Sequence, residues 1–317
     1  MLKILSFSLI DQLYRRGNEI PRCPMSIASQ YILHTHHRVP TEPMIKGSFF
    51  ETLCLGATAR QEIIIDLPRK QLTKKQVQHN IIAAVENKPI IVGEKTIDQI
   101  RIEEQAKRFD MQCRERGITI VKGFNTQVQI FKRLPQYPNW VLRGTIDMFP
   151  VPIMLNKEHI MTGVKGNVFL GDLKLTADLL KRTYRGTIWA DGKTAEWFQL
   201  VYYAWLLKDI DYILNDKMNP GNKLREIVSD FHKQLIRDNN LLLYYWIFEY
   251  KTASLGNKLL EISYDILKEK EMLETVRKSI SDLELMESMG YPTEPQYLLC
   301  KECPVHNCPV RDETERI

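Results

Sequence analysis

The chain has no apolar run of about 18 residues or more, which excludes an evident bilayer-spanning helix. Its opening stretch, Met1 to Ile10, is apolar, but Asp11 ends it and no small-residue cleavage pattern follows. That stretch is expected to belong to a first helix rather than to an export signal. Cysteine is scarce, at six in 317 residues. In a long chain with no export signal these do not point to a secreted disulfide framework, and a cytoplasmic protein with no membrane partner is expected. Excess charge is scarce too: 44 basic against 39 acidic side chains leave a net +5. Such a balance permits a polyanionic partner without requiring one. Internal repeats and low-complexity segments are missing, which excludes solenoids and disordered tails of biased composition. What remains is a hydrophobic fraction of 44%, enough for one large domain with elaborations or two small ones.

Against these absences stand two short acidic motifs. Gly144-Thr145-Ile146-Asp147 runs into Met148 and Phe149, and Gly171-Asp172-Leu173-Lys174 is preceded by Val168, Phe169 and Leu170. Both surroundings predict β-strand. Two carboxylates at strand ends can hold a hard divalent cation, and a neighbouring ammonium can orient or deprotonate water or steady a phosphate. An Asp-x-Lys triplet is equally at home on a solvated strand edge, so the motif needs company.

The rest of the chain supplies the setting. Residues 1–35 are expected to be helical, broken around Pro21 and Pro24. Ser48 is expected to cap a helix whose apolar face holds Phe49, Phe50, Leu53 and Leu55. Residues 60–98 read as charged and irregular, with the basic run 69–75 as a solvated loop, and 99–116 read as a helix. Strands follow at 128–131, 140–149 and 168–175, then an aromatic-rich helix at 196–208, a strand at 241–250 and a long amphipathic helix at 257–288. This order predicts an α/β fold, a mixed sheet flanked by helices. Trp189, Trp197 and Trp205 could stack bases, although helical aromatics usually pack in cores.

Three features keep the acidic motifs company. Gln199 and Tyr203 are i and i+4 on the predicted aromatic helix, so both project from one face. Glu51, on the helix after Ser48, offers a third carboxylate. Cys300, Cys303 and Cys308 crowd into nine residues, in a segment too short to pack a core. Thiolates so spaced gather around zinc or an iron–sulfur cluster, with a fourth ligand among Cys23, Cys54 and, for zinc, His306. Cys54 and Cys113 otherwise read as buried thiols.

Together these residues resemble the PD-(D/E)XK nuclease superfamily, in particular its RecB-like branch with an iron–sulfur cluster, which includes the AddB nuclease domain and CRISPR-associated RecB-like exonucleases. The resemblance covers roughly residues 20–310. It implies a restriction-endonuclease-like core at about 40–255 within one domain spanning 1–317, and cluster-binding segments at about 20–30 and 295–310 that join the two ends of the chain. It implies that Glu51, Asp147 and Asp172, with the Leu173 carbonyl, bind Mg²⁺ or Mn²⁺. Lys174 then serves as an orienting cation, and Gln199 and Tyr203 position the strand. Cys23, Cys300, Cys303 and Cys308 bind a [4Fe–4S] cluster, Zn²⁺ being the alternative. The expected activity is metal-dependent DNA cleavage by an exonuclease acting on ends or single strands in recombination, repair or phage- or CRISPR-type DNA processing, with a helicase or recombination partner supplying any unwinding. Two other readings are a non-catalytic nucleic-acid-binding protein with a zinc-stapled C-terminus and a structure-specific endonuclease.

Overall fold

The computed structural model describes residues 2–14, 23–35, 40–56, 67, 69–85, 88, 92–116, 118, 120–149, 153–155, 159–161, 168–183, 187–192, 196–219 and 221–291. The chain opens on a strand, β1 (Lys3–Ser6), and not on the expected helix. Four residues are too few for local periodicity to register. Their extended form comes from parallel pairing with a strand more than a hundred residues away, Lys3 opposite Trp140 through Ser6 opposite Arg143. Helix α1 (Phe7–Leu13) follows at once, capped by Ser6, whose Oγ accepts the Leu9 N–H at 3.3 Å. Next come α2 (Pro24–Ile27), which continues into a π-helical turn over Ala28–Ile32, and α3 (Glu42–Leu55). Helix α3 starts well before Ser48. Thr41 occupies the capping position and Pro43 fits the first turn, so Ser48 lies inside the helix and its carbonyl accepts the Thr52 hydroxyl at 2.8 Å.

The stretch expected to be irregular holds a helix, α4 (Lys74–Val85), and α5 (Ile97–Glu115) follows, capped by Thr96. The basic run straddles the start of α4, where Lys70 pairs with Glu94 at 2.8 Å. Strands β2 (Thr126–Leu134) and β3 (Tyr137–Met148) form an antiparallel hairpin. A separate two-stranded sheet, β4 (Ile153–Leu155) with β5 (His159–Met161), leads to β6 (Val168–Thr176). Four helices then cross over to the parallel neighbour of β6: α6 (Phe198–Leu207), α7 (Ile210–Asn215), α8 (Gly221–Ile227) and α9 (Asp230–Arg237). That neighbour is β7 (Leu241–Glu249), and β8 (Asn257–Ile262) turns back beside it. The helix expected over 257–288 is therefore split. Its first residues pair with β7, and α10 (Ile266–Ser288) begins at Asp265, whose Oδ1 accepts the N–H groups of Leu267 and Lys268 at 3.0 and 2.9 Å.

The six-stranded sheet runs β1-β3-β6-β7-β8, with β2 on the other side of β3. It is mixed, and helices cover both faces. On one face Leu142, Ile146, Leu170 and Ile247 pack with Tyr202 and Leu206 of α6 and with Met272 and Ile280 of α10. On the other, Trp246 and Phe248 pack with Phe50 and Cys54 of α3 and Phe109 and Cys113 of α5. Removing one such ring, as in Phe109→Ala, costs about 3–5 kcal/mol. Trp189 lies in the first core with Trp197 and Trp205 packed at its edge, so the three indoles serve packing. No helix among the described residues is long and apolar enough to cross a membrane.

One irregularity positions everything that follows. β3 and β6 share a single rung, Met148 opposite Gly171, while β1 runs beside the first half of β3 and β7 follows β6 along its whole length. Past that rung β3 and β6 part, and the backbone groups facing the gap need other partners.

Candidate active site

Asp147, one residue before that rung, fills the gap with its side chain. Its Oδ2 accepts the backbone N–H of Leu173 at 2.9 Å, in place of the missing ladder bond. Strand alternation then does the rest. Phe169 and Leu173 of β6 pack on the α3–α5 side, whereas Val168 and Leu170 pack on the α6 side. Asp172 and Lys174 share the parity of the second pair and meet α6.

Helix α6 approaches β3 directly over Gly144. A Cβ there would lie 2.6 Å from Leu206 Cδ1 and 3.0 Å from the Tyr203 ring, so glycine lets the helix come close. At that range one amide organises the centre. Gln199 Nε2 donates to Asp172 Oδ1 at 2.6 Å and to the Tyr203 hydroxyl at 2.9 Å, while its Oε1 accepts from Lys174 Nζ at 3.3 Å. Lys174 also forms an ion pair with Asp172 Oδ2 and lies 5.7 Å from the Tyr245 ring centroid. Asp172 is 1% exposed, whereas the Lys174 side chain is 32% exposed, so the acid forms the floor and the cation faces solvent.

Glu51, in the second half of α3, completes the group. It is half-buried and feels the charges of both Lys174 and Asp172. Burial pushes its carboxyl up to about 7, with Lys174 pulling it down and Asp172 adding to the rise. Asp147 is held well above the usual carboxylate range by burial and by the charges of Asp172 and Glu51, against Lys174 and the Leu173 N–H. Burial alone would lower the Lys174 ammonium, but Asp172, Asp147 and Glu51 outweigh it and raise its pKa. Tyr203 is likewise held well above the usual phenol range by burial and the two aspartates. Three carboxyl groups thus gather around one lysine, and their mutual repulsion together with burial favours proton uptake by Glu51 and Asp147.

Among the described residues no group of three His, Cys, Asp or Glu forms a ready metal cage. The ammonium of Lys174 is what currently balances Asp172. The donor set nonetheless has the chemistry of a hard-cation site: carboxylate oxygens and no sulfur or imidazole.

Gln127 carried no signal in the sequence. It lies on β2, and its Nε2 donates to Asp147 Oδ1 at 3.0 Å. Its backbone is left-handed, φ +52°, inside a strand. Nothing in Thr126-Gln127-Val128-Gln129 separates it from Gln129 two positions on.

The cysteines divide. Cys23 is half-buried at the start of α2 with a free thiol. Cys54 and Cys113 lie in the core between α3 and α5, where burial holds Cys54 well above its ordinary value and pushes Cys113 up to about 12. A thiol so placed resists ionisation in the absence of a metal. Cys300, Cys303 and Cys308, with His306, lie outside the described residues.

No family model matches the chain, and no curated protein matches it. Among solved structures it is similar to the crystal structure of a "Putative exonuclease" from Eubacterium rectale, with a TM-score of 0.50 and 12% identity over 98% of this chain and 88% of that one. The two chains share a mixed α/β fold. At that identity the likeness carries the fold alone.

Proposed function

We propose that the chain is a metal-dependent deoxyribonuclease of the RecB-like PD-(D/E)XK type, an exonuclease acting on DNA ends or single strands. The observation that carries this reading is the meeting of Asp147, Asp172, Lys174, Gln199 and Tyr203, drawn from two strands and a helix, where β3 and β6 part. The fold shared with the Eubacterium rectale protein, itself described as an exonuclease of the "Putative" grade, supports it.

Glu51, Asp147 and Asp172, with the Leu173 carbonyl, would hold Mg²⁺ or Mn²⁺. A bound cation supplies Lewis acidity and an activated water for attack on the phosphodiester. Lys174 keeps its proton among three carboxylates, so it acts as a donor to water or a phosphate oxygen rather than as a base. Gln199 holds Asp172 and Lys174 in one arrangement, and Tyr203 braces Gln199. At the chain ends, Cys23 is the described member of a cluster set that includes Cys300, Cys303 and Cys308. A [4Fe–4S] cluster there would clamp the terminal segments and contribute to folding.

A labelled single strand incubated with Mg²⁺ or Mn²⁺ tests the activity, and a circular substrate separates end-dependent from internal cutting. Full metal-dependent cleavage by Lys174→Ala or Asp172→Ala would remove the catalytic assignment. Anaerobic protein containing zinc, without iron or sulfide, would remove the cluster.

A further inference from the structure

Gln127 touches the acidic centre, and the nuclease reading gives it no role. Its neighbours Thr126 and Val128 pair with Met148 and Ile146, but at Gln127 the backbone turns left-handed, a costly conformation for a residue with a Cβ. That turn aims the amide at Asp147, 3.0 Å from Oδ1. The other oxygen of Asp147 is held by the Leu173 N–H at 2.9 Å. With one donor on each oxygen, the plane of the carboxylate is set.

The surroundings enforce the unusual backbone. Thr126 Oγ1 donates to the Leu55 carbonyl at 2.7 Å and accepts the Gly123 N–H at 2.8 Å. Asn125 accepts the Val121 N–H on its side chain at 2.7 Å and the Phe149 N–H on its carbonyl at 2.9 Å. Leu55 ends α3, the helix that carries Glu51, and Phe149 follows β3, which carries Asp147. Residues 121–127 are therefore a brace between the two acids. Gln129, the same residue type two positions on, pairs with Thr145 in the ordinary ladder.

We infer that Gln127 is a positioning residue that orients Asp147 for divalent-cation binding, its strained backbone retained to aim the amide; this rests on the nuclease reading above. Residues that hold a metal-ligating carboxylate from behind commonly set metal affinity within 10–100-fold. The test compares Gln127→Gly, Gln127→Ala and Gln129→Ala by Mn²⁺ titration of substrate-free protein, melting temperature and strand cleavage. Both Gln127 variants should lose roughly tenfold or more in Mn²⁺ affinity and in cleavage rate with an unchanged KM for the strand. The alanine variant, which keeps a Cβ on the left-handed backbone, should melt below the glycine variant. Gln129→Ala should bind Mn²⁺ like wild type.

Wild-type Mn²⁺ affinity and rate in both Gln127 variants would overturn the inference, as would losses that merely follow the unfolded fraction. Should the glycine variant fail to fold, Gln127→Asn tolerates the backbone with a shorter reach and faces the same criteria. If wild-type protein neither binds Mn²⁺ nor cuts DNA, the nuclease reading itself fails and takes this inference with it. Binding and cutting by wild type, matched by the variants, defeats the role of Gln127 alone.

Discussion

Two buried carboxylates on neighbouring strands make opposite use of burial. Glu249, at the end of β7 and 5% exposed, is surrounded by neutral donors: the N–H groups of Leu179 and Gly256 at 3.1 and 2.8 Å, and the hydroxyls of Ser254 and Thr252. Burial works to raise its pKa, but these bonds prevail and hold it below its ordinary value. Asp172, on β6, has an equally buried setting, yet it stands with Asp147, Glu51 and Lys174, and its acidic neighbours are pushed up. Donors of fixed direction and no charge make the first carboxylate a fastener for the loops around 179 and 252–256. Like charges gathered around one lysine make the second a place where the cation proposed above would relieve repulsion.

The largest expected effect separates the two by activity. Asp172→Ala or Lys174→Ala should reduce metal-dependent cleavage by about 10²–10⁴-fold, while the far-ultraviolet circular dichroism keeps its native form. Glu249→Ala should do the reverse. It removes the shared acceptor of four donors that are themselves half-buried or exposed, and should cost about 1–3 kcal/mol in urea unfolding, with cleavage per folded molecule retained. Equal losses of activity in both variants would erase the distinction.

The pH dependence sharpens it further. The Glu51 carboxyl is raised in the folded state from 4.5 to about 7, so the folded protein holds the extra proton between those values. Its contribution is fully present below 4.5 and is lost as pH rises through about 7. The metal-free protein should therefore lose melting temperature across that window, with Mg²⁺ restoring it at the upper end, and Glu51→Gln should flatten the loss. Glu249, with a depressed pKa, contributes above 4.5 and fails only as pH falls through its lower folded value.

The smallest effect concerns a buried base. His232 is 1% exposed, and its Nδ1 accepts the Ser229 N–H at 3.1 Å in the capping box of α9. Burial lowers its pKa below 6.5. Its stabilisation is present above 6.5 and is lost as pH falls through the folded value, by about 0.5–1 kcal/mol. His232→Gln, which keeps an acceptor at that position, should remove this acid-side step from the unfolding curve.

The parts of this arrangement that were legible in the sequence are those carried by short-range pattern. Asp147, Asp172 and Lys174 stand in runs of alternating or continuous apolar residues that announce strands, and Gln199 and Tyr203 share a helical spacing. The sheet with helices on both faces followed from the order of those runs. What escaped depends on partners far along the chain or on signals that were present and outweighed. β1 is a strand because β3 is beside it. Thr41 with Pro43, and Asp265 before α10, are capping signals in the sequence, but the apolar runs around Phe49 and Leu259 drew the boundaries elsewhere. Gln127 was illegible for a different reason: its role comes from a backbone angle imposed by Thr126 and Asn125, and side-chain chemistry gives no hint of it.

The lone rung between β3 and β6 makes the sheet two half-sheets joined by a seam, closed on one side by Met148 and Gly171 and on the other by a carboxylate. The amide proton of Leu173, sealed at 0% exposure, is a gauge built into that seam. Its rate of exchange with solvent reads whether Asp147 is charged, neutral or drawn away by an ion, in the absence of any substrate.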